Sequence, residues 1–164
     1  MKYTDTQIVF RELPDEITLA INISGCPLQC EGCHSPYLRE NIGTILTKEV
    51  LKQLITDNPG ITAICFMGGD AQPIEINVMA KWLKKHYSSL NIGWYSGRKE
   101  LSPDIELQNF NYIKLGPYIP TLGGLDSPHT NQHLYEVVMT REVDINDVPI
   151  YGFNDITHKL QKSI

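Results

Sequence analysis

An α/β fold of mainly parallel strands is what this sequence predicts, and three observations lead there. Apolar segments of strand length alternate with segments of helical periodicity between residues 17 and 115. One of them, Ile61 to Phe66, is apolar almost without a break, the pattern of a strand covered on both faces. Each such strand also runs directly into a turn rich in glycine or cysteine, as happens where parallel strands deliver their loops to one edge.

The elements follow in order. Residues 8–13 form a short mixed segment that ends at Pro14. Ile17, Leu19, Ile21 and Ile23 then alternate with Thr18, Ala20, Asn22 and Ser24, the period of two that marks a strand. Its aliphatic face suits packing beneath helices, and its small, polar face suits an interior that holds a ligand. A cysteine-rich loop comes next. Thr47 is placed to cap a helix with Val50, Leu51, Leu54 and Ile55 on its apolar face, stopped by Asn58-Pro59-Gly60. After the strand at 61–66, Met67-Gly68-Gly69-Asp70 reads as a turn. Pro73 opens a second helix, whose inner face carries Val78, Met79, Trp82, Leu83 and His86. A third strand covers Asn91–Tyr95, a turn Ser96-Gly97, a short helix Ser102–Leu107 and a fourth strand Tyr112–Leu115. Residues 116–133 read as a loop, of a length that is usually functional or disordered. Leu134–Thr140 is a fifth strand, and the tail holds one or two short irregular elements. The succession predicts right-handed crossovers between parallel strands. The cysteine loop, the Gly-Gly-Asp turn, Ser96-Gly97 and Gly116-Pro117-Tyr118 would then meet at one edge of the sheet.

The totals narrow the function. A chain of 164 residues predicts one domain, spanning 1–164, with room for a substantial core. Apolar residues make up 41% and charged residues 20%, as in globular proteins. The formal net charge is −5 and the lysines and arginines form no long run, which argues against a nucleic-acid surface. No apolar run reaches the length of a membrane span, and Met1 to Gln7 lacks the apolar core of a signal peptide. A cytoplasmic protein with no nucleic-acid or membrane partner is therefore expected. The four cysteines, three of them clustered, do not read as a disulfide framework.

The cluster is Cys26-Pro27-Leu28-Gln29-Cys30-Glu31-Gly32-Cys33, spaced C-x3-C-x2-C. A cuboidal iron–sulfur cluster normally takes four thiolates. Three thiolates in one tight loop can hold three irons and leave the fourth iron open for chemistry. Two other readings compete. The three cysteines could be small buried core residues. They could also join His34, or His129 and His133, in a Cys3His zinc site, although Cys33 and His34 are neighbours that close awkwardly on one tetrahedral ion. Cys65 reads as a core residue and not as a fourth ligand.

The C-x3-C-x2-C motif resembles the signature of the radical S-adenosylmethionine enzymes. Asn22 to Cys26, Glu31 to His34, Met67 to Asp70, Gly116 to Tyr118, and Gly123 to Pro128 running into Thr130-Asn131-Gln132 resemble one branch in particular. That branch comprises the activating proteins of anaerobic ribonucleoside-triphosphate reductases. The resemblance implies an open, partial (β/α) barrel of mainly parallel strands, with a [4Fe-4S] cluster held by Cys26, Cys30 and Cys33. It implies S-adenosylmethionine on the open iron, with Gly68 and Gly69 beside its amino group and Asp70 where many members carry glutamate. Gly32 stands where many members carry an aromatic residue, so Gly32 to His34, and Ser96, are expected to supply further cofactor contacts. An ordinary strand-to-helix turn is the competing reading of Gly68 to Asp70. The implied reaction is one-electron cleavage of the cofactor's sulfonium, followed by removal of a hydrogen from a backbone glycine of the large reductase component. A low-potential donor such as flavodoxin or ferredoxin would supply the electron. Another glycyl-radical activase, a 7-carboxy-7-deazaguanine synthase-like enzyme and a zinc-binding interaction module remain as alternatives.

Overall fold

The computed structural model of the protein describes residues 1–161. Eight strands and two α-helices are found among them: β1 Lys2–Val9, β2 Thr18–Ile23, β3 Thr44–Ile45, α1 Lys48–Asp57, β4 Ala63–Met67, α2 Pro73–His86, β5 Asn91–Tyr95, β6 Tyr112–Leu115, β7 His133–Val143 and β8 Pro149–Asp155. All the strands join one sheet in the order β3-β1-β2-β4-β5-β6-β7-β8.

Both helices start as the sequence predicts. The Thr47 hydroxyl accepts from the Val50 N–H at 3.2 Å and caps α1. Pro73 opens α2, and Lys84, Lys85 and His86 complete its last turn, where positive charge suits the helix dipole. The four strands read from residues 17 to 115 are present as β2, β4, β5 and β6, and they pair parallel with one another.

The expected mainly parallel, open (β/α) barrel is not what forms. The sheet is mixed, with few helices: β1 pairs antiparallel with β2 and β3, β7 antiparallel with β6, and β8 antiparallel with β7. At the β7–β8 edge the reason lies in the connection. Parallel neighbours need a long crossover, whereas antiparallel neighbours need only a hairpin. β7 and β8 are joined by five residues, within which the Asp144 carboxylate accepts from the Asn146 and Val148 N–H groups at 2.8 and 3.0 Å. The short helix expected at Ser102–Leu107 is also absent. The Ile105 N–H closes one tight turn on the Ser102 carbonyl at 3.1 Å that goes no further, and a 3-10 turn at Leu107–Asn109 leads into β6 instead. β8 lies where the sequence predicted only short irregular elements, and β1 covers a polar N-terminal stretch for which it predicted no element, reaching the mixed segment 8–13 only at Ile8 and Val9. Most of their residues are half-buried or exposed, so neither carries the apolar alternation that betrays a strand.

The sheet has two cores. Leu19, Ile21, Ile23, Ile64, Phe66, Ile92 and Trp94 pack on one face with Leu51, Ile76, Ala80 and Leu83 of the helices. On the opposite face Ala63 and Cys65 meet Leu13, Leu134 and Ile156. β4 is thus covered on both sides, as its unbroken apolar run requires. The parallel core leaves the C-terminal ends of β2, β4, β5 and β6 along one edge, and that edge carries the candidate site. No helix among the described residues is long and apolar enough to cross a membrane.

Candidate metal centre

β2 ends at Ile23, and the chain enters the cysteine loop pinned from both sides. The Ser24 N–H donates to the Lys2 carbonyl at 3.0 Å, and the Ser24 hydroxyl to the Ile42 carbonyl at 2.6 Å. Farther in, the Gly25 N–H bonds to the Glu40 carbonyl at 3.0 Å and the Cys26 N–H to the Leu38 carbonyl at 2.8 Å. The Arg39 guanidinium donates to the Cys30 carbonyl at 2.7 Å. The loop is therefore tied to its own return limb and held without a regular element.

Cys26, Cys30 and Cys33 are unpaired and half-buried. All three line one cavity of about 210 Å³, together with Gly68, Asp70, Ser96 and Lys114. Burial, then the neighbouring Asp70, Cys30 and Cys33, push the Cys26 thiol up, against a weak bond to the Leu28 carbonyl. Among the described residues no three His, Cys, Asp or Glu side chains converge on a single ion position. Three cysteine side chains of one loop border a single space. Thiolates are the ligands that hold iron–sulfur clusters, so this donor set fits a [4Fe-4S] cluster.

The Gly-Gly turn forms the opposite wall. Gly68 is held by two bonds from β5: its N–H donates to the Tyr95 carbonyl at 2.9 Å, and its carbonyl accepts from the Trp94 indole at 2.7 Å. Gly69 is absent from the cavity lining. It packs on α2, with φ at +88° and room for no side chain, since a Cβ there would stand 2.6 Å from Ile76 Cδ1. Asp70 is buried, and both its carboxylate oxygens are engaged: Oδ1 accepts from the Ser96 hydroxyl at 2.5 Å and Oδ2 from the Gly97 N–H at 3.1 Å. It stitches the turn after β4 to the turn after β5 while still facing the cavity.

The remaining sequence candidates are placed differently. Gly32, with φ at +65°, lies under the loop after β6; a Cβ there would stand 3.1 Å from Pro120 and 3.6 Å from Tyr118. His34 packs its ring on Tyr118, centroids 5.0 Å apart, and lines a second, larger cavity of about 810 Å³. The two cavities share Met67, Tyr95 and Gln132 as walls. His133 is bonded through Nδ1 to the Asp155 carboxylate at 2.8 Å and lines neither cavity. Cys65 is fully buried, and burial pushes its thiol far up. Asn131 donates to the Pro117 carbonyl at 2.9 Å and Gln132 to the Gly116 carbonyl at 3.4 Å, so this stretch holds the loop that covers Gly32.

Lys114 was missed by the sequence reading. It is 7% exposed and lines the cysteine cavity from β6. The signal was available: a lysine stands between Ile113 and Leu115 in a segment read as a strand of a parallel sheet, and a buried lysine is rare without a reason.

Comparison with known proteins agrees with this geometry. The family model for 4Fe-4S single cluster domains matches residues 17–109. No curated protein and no solved structure matches the chain. The matched span covers more than half the sequence, opens at β2 and contains the cysteine loop, the Gly-Gly-Asp turn and Ser96. The chain accordingly belongs to the 4Fe-4S single cluster domain family and is an iron–sulfur protein.

Proposed function

We propose that this iron–sulfur protein is a radical S-adenosylmethionine activase that installs a glycyl radical on an anaerobic ribonucleoside-triphosphate reductase. The observation that carries the reading is the shared cavity: three thiols from one loop, and no fourth cysteine, face Gly68, Asp70 and Ser96 across a single space. Cys26, Cys30 and Cys33 would each hold one iron and leave the fourth without a side-chain ligand. When bound, the cluster supplies one electron and S-adenosylmethionine, cleaved at its sulfonium, supplies the group that takes hydrogen from the partner's glycine.

The chain's own residues shape the rest. Gly68 offers backbone without a side chain beside the space where the cofactor's amino-acid end would lie. Ser96 and Gly97 are fixed by Asp70, so the carboxylate positions that wall more than it offers a free acceptor. The larger neighbouring cavity, bordered by Phe10, Arg11, His34 and Leu125, opens beside the first through Met67, Tyr95 and Gln132. Its size suits a peptide loop, which supports a protein substrate. Gly32 and His34 lie under or beside the loop after β6, where they serve the docking side more readily than the cofactor.

The test is anaerobic. Purified protein should contain iron and sulfide and should cleave S-adenosylmethionine when reduced; Cys30→Ala should lose that cleavage by at least a hundredfold. Mixing the reduced protein with the candidate reductase and the cofactor should give the electron paramagnetic resonance doublet of a glycyl radical. Cleavage retained in Cys30→Ala would refute the ligand assignment, and a doublet absent with the reductase would refute the choice of partner.

A further inference from the structure

Lys114 is the one buried cation in the cavity that the cysteines line, among the described residues. Its Nζ donates to the Ser96 carbonyl at 3.3 Å and the Gly116 carbonyl at 2.6 Å. An ammonium has three N–H donors. Among the described residues its hydrogen bonds go to these two carbonyls, and none goes to a carboxylate. A cation held out of water without a bonded anion is costly unless negative charge arrives from elsewhere. The charges that face it are the Asp70 carboxylate and the Cys30 sulfur. Burial pulls the Lys114 pKa down to about 8, while Asp70 and Cys30 work to hold it up.

We propose that Lys114 is the counter-charge of the thiolate-bound cluster, and that its field, opposed by that of Asp70, sets the cluster's reduction potential. Net charge around an iron–sulfur cluster is one of the levers that fix its potential. Taking up one electron adds one negative charge to the cavity. A cation nearby favours the reduced form and an anion nearby favours the oxidised form. Lys114 touches no reacting atom in this role; it acts on the cluster through space. The proposal rests on the cluster held by Cys26, Cys30 and Cys33 and needs neither S-adenosylmethionine nor a protein partner.

The experiment is an anaerobic redox titration of the cluster-loaded full chain, without S-adenosylmethionine. Dithionite serves as the one-electron reductant through dye mediators, and the reduced fraction is read by electron paramagnetic resonance. At the native midpoint, Lys114→Met should lower the ratio of reduced to oxidised cluster about tenfold, a midpoint shift of about −59 mV for one electron. Asp70→Asn should raise that ratio by a similar factor, and Lys114→Arg should stay within about threefold of the native protein. A purely structural role for these residues would not produce opposite signs. An unchanged or raised midpoint in Lys114→Met, or a shift of the same sign in Asp70→Asn, overturns the proposal. If Lys114→Met takes up no iron, Asp70→Asn decides: a midpoint that fails to rise sinks the idea. A native protein that loads iron and sulfide while the variants leave the midpoint unmoved fails this proposal alone. A native protein without iron fails the cluster assignment beneath it.

Discussion

Gly69 shows how one residue serves the site without touching it. Its φ of +88° costs a non-glycine residue about 1–2 kcal/mol, and a methyl group there would press on the fully buried Ile76 side chain. Gly69→Ala should therefore destabilise the protein by about 2–4 kcal/mol, conformational strain and overpacking combined. Gly60 in the turn after α1 has a similar φ of +92° but open space around it, so Gly60→Ala should cost only the conformational strain of about 1–2 kcal/mol. Urea unfolding of the two variants checks both, and equal losses would show that the contact with Ile76 is irrelevant. Asp70 makes the same point for charge. The family resemblance pointed to it as a cofactor contact, where many members carry glutamate. Its oxygens are taken by Ser96 and Gly97, a pairing across 26 residues of sequence that no local pattern announces.

At the scale of elements, the seam between β7 and the segment after β8 closes the sheet's second face. Asp155 organises it: Oδ1 accepts from the Thr157 N–H at 2.9 Å and the Thr157 hydroxyl at 2.6 Å, and Oδ2 lies 2.8 Å from His133 Nδ1. Partial burial works to raise the Asp155 pKa, but the Thr157 bonds and His133 outweigh it and hold the carboxyl below the usual value. A carboxyl whose pKa is lower in the folded than in the unfolded chain stabilises the fold above its unfolded pKa of about 3.9. That stabilisation disappears as pH falls through the folded value. Asp155→Asn should thus be less stable than the native protein by about 1 kcal/mol at pH 7, a modest figure because the site is partly exposed. The gap should close as pH falls below about 4. Denaturant titrations at a series of pH values measure it; a gap that persisted undiminished at about pH 2 would show the sign to be wrong. The cysteine loop is held in another way, by backbone bonds to Leu38, Glu40 and Lys2 and by the Ser24 hydroxyl on the Ile42 carbonyl.

For the whole molecule, the decisive feature is a four-stranded parallel core extended by antiparallel strands on both flanks. The flanks are not appendages. Ile156, beyond β8, is 2% exposed and packs with Leu134, Cys65 and Leu13 across the second face. Ile156→Ala should cost about 2–4 kcal/mol and lower the urea midpoint in a single transition. Ile145, at the hairpin tip, is fully exposed, and Ile145→Ala should change stability by less than about 0.5 kcal/mol. An Ile156→Ala loss as small as that at Ile145 would mean that the C-terminal hairpin does not fold with the core.

What the sequence determined by itself was local: the period of two in β2, the unbroken apolar run of β4, the Thr47 cap, the Pro73 helix start and the spacing of three cysteines. Each depends on neighbours a few residues away, and each set its element without help from the rest of the chain. From these followed the parallel core and the edge where its turns meet. Strand direction at the flanks, the pairing of β1 and β8, the engagement of Asp70 by Ser96 and the burial of Lys114 were decided by the tertiary structure alone. They arise from contacts between segments tens of residues apart, where half-exposed strands carry no apolar period and a charged side chain gives no sign of which charges will surround it.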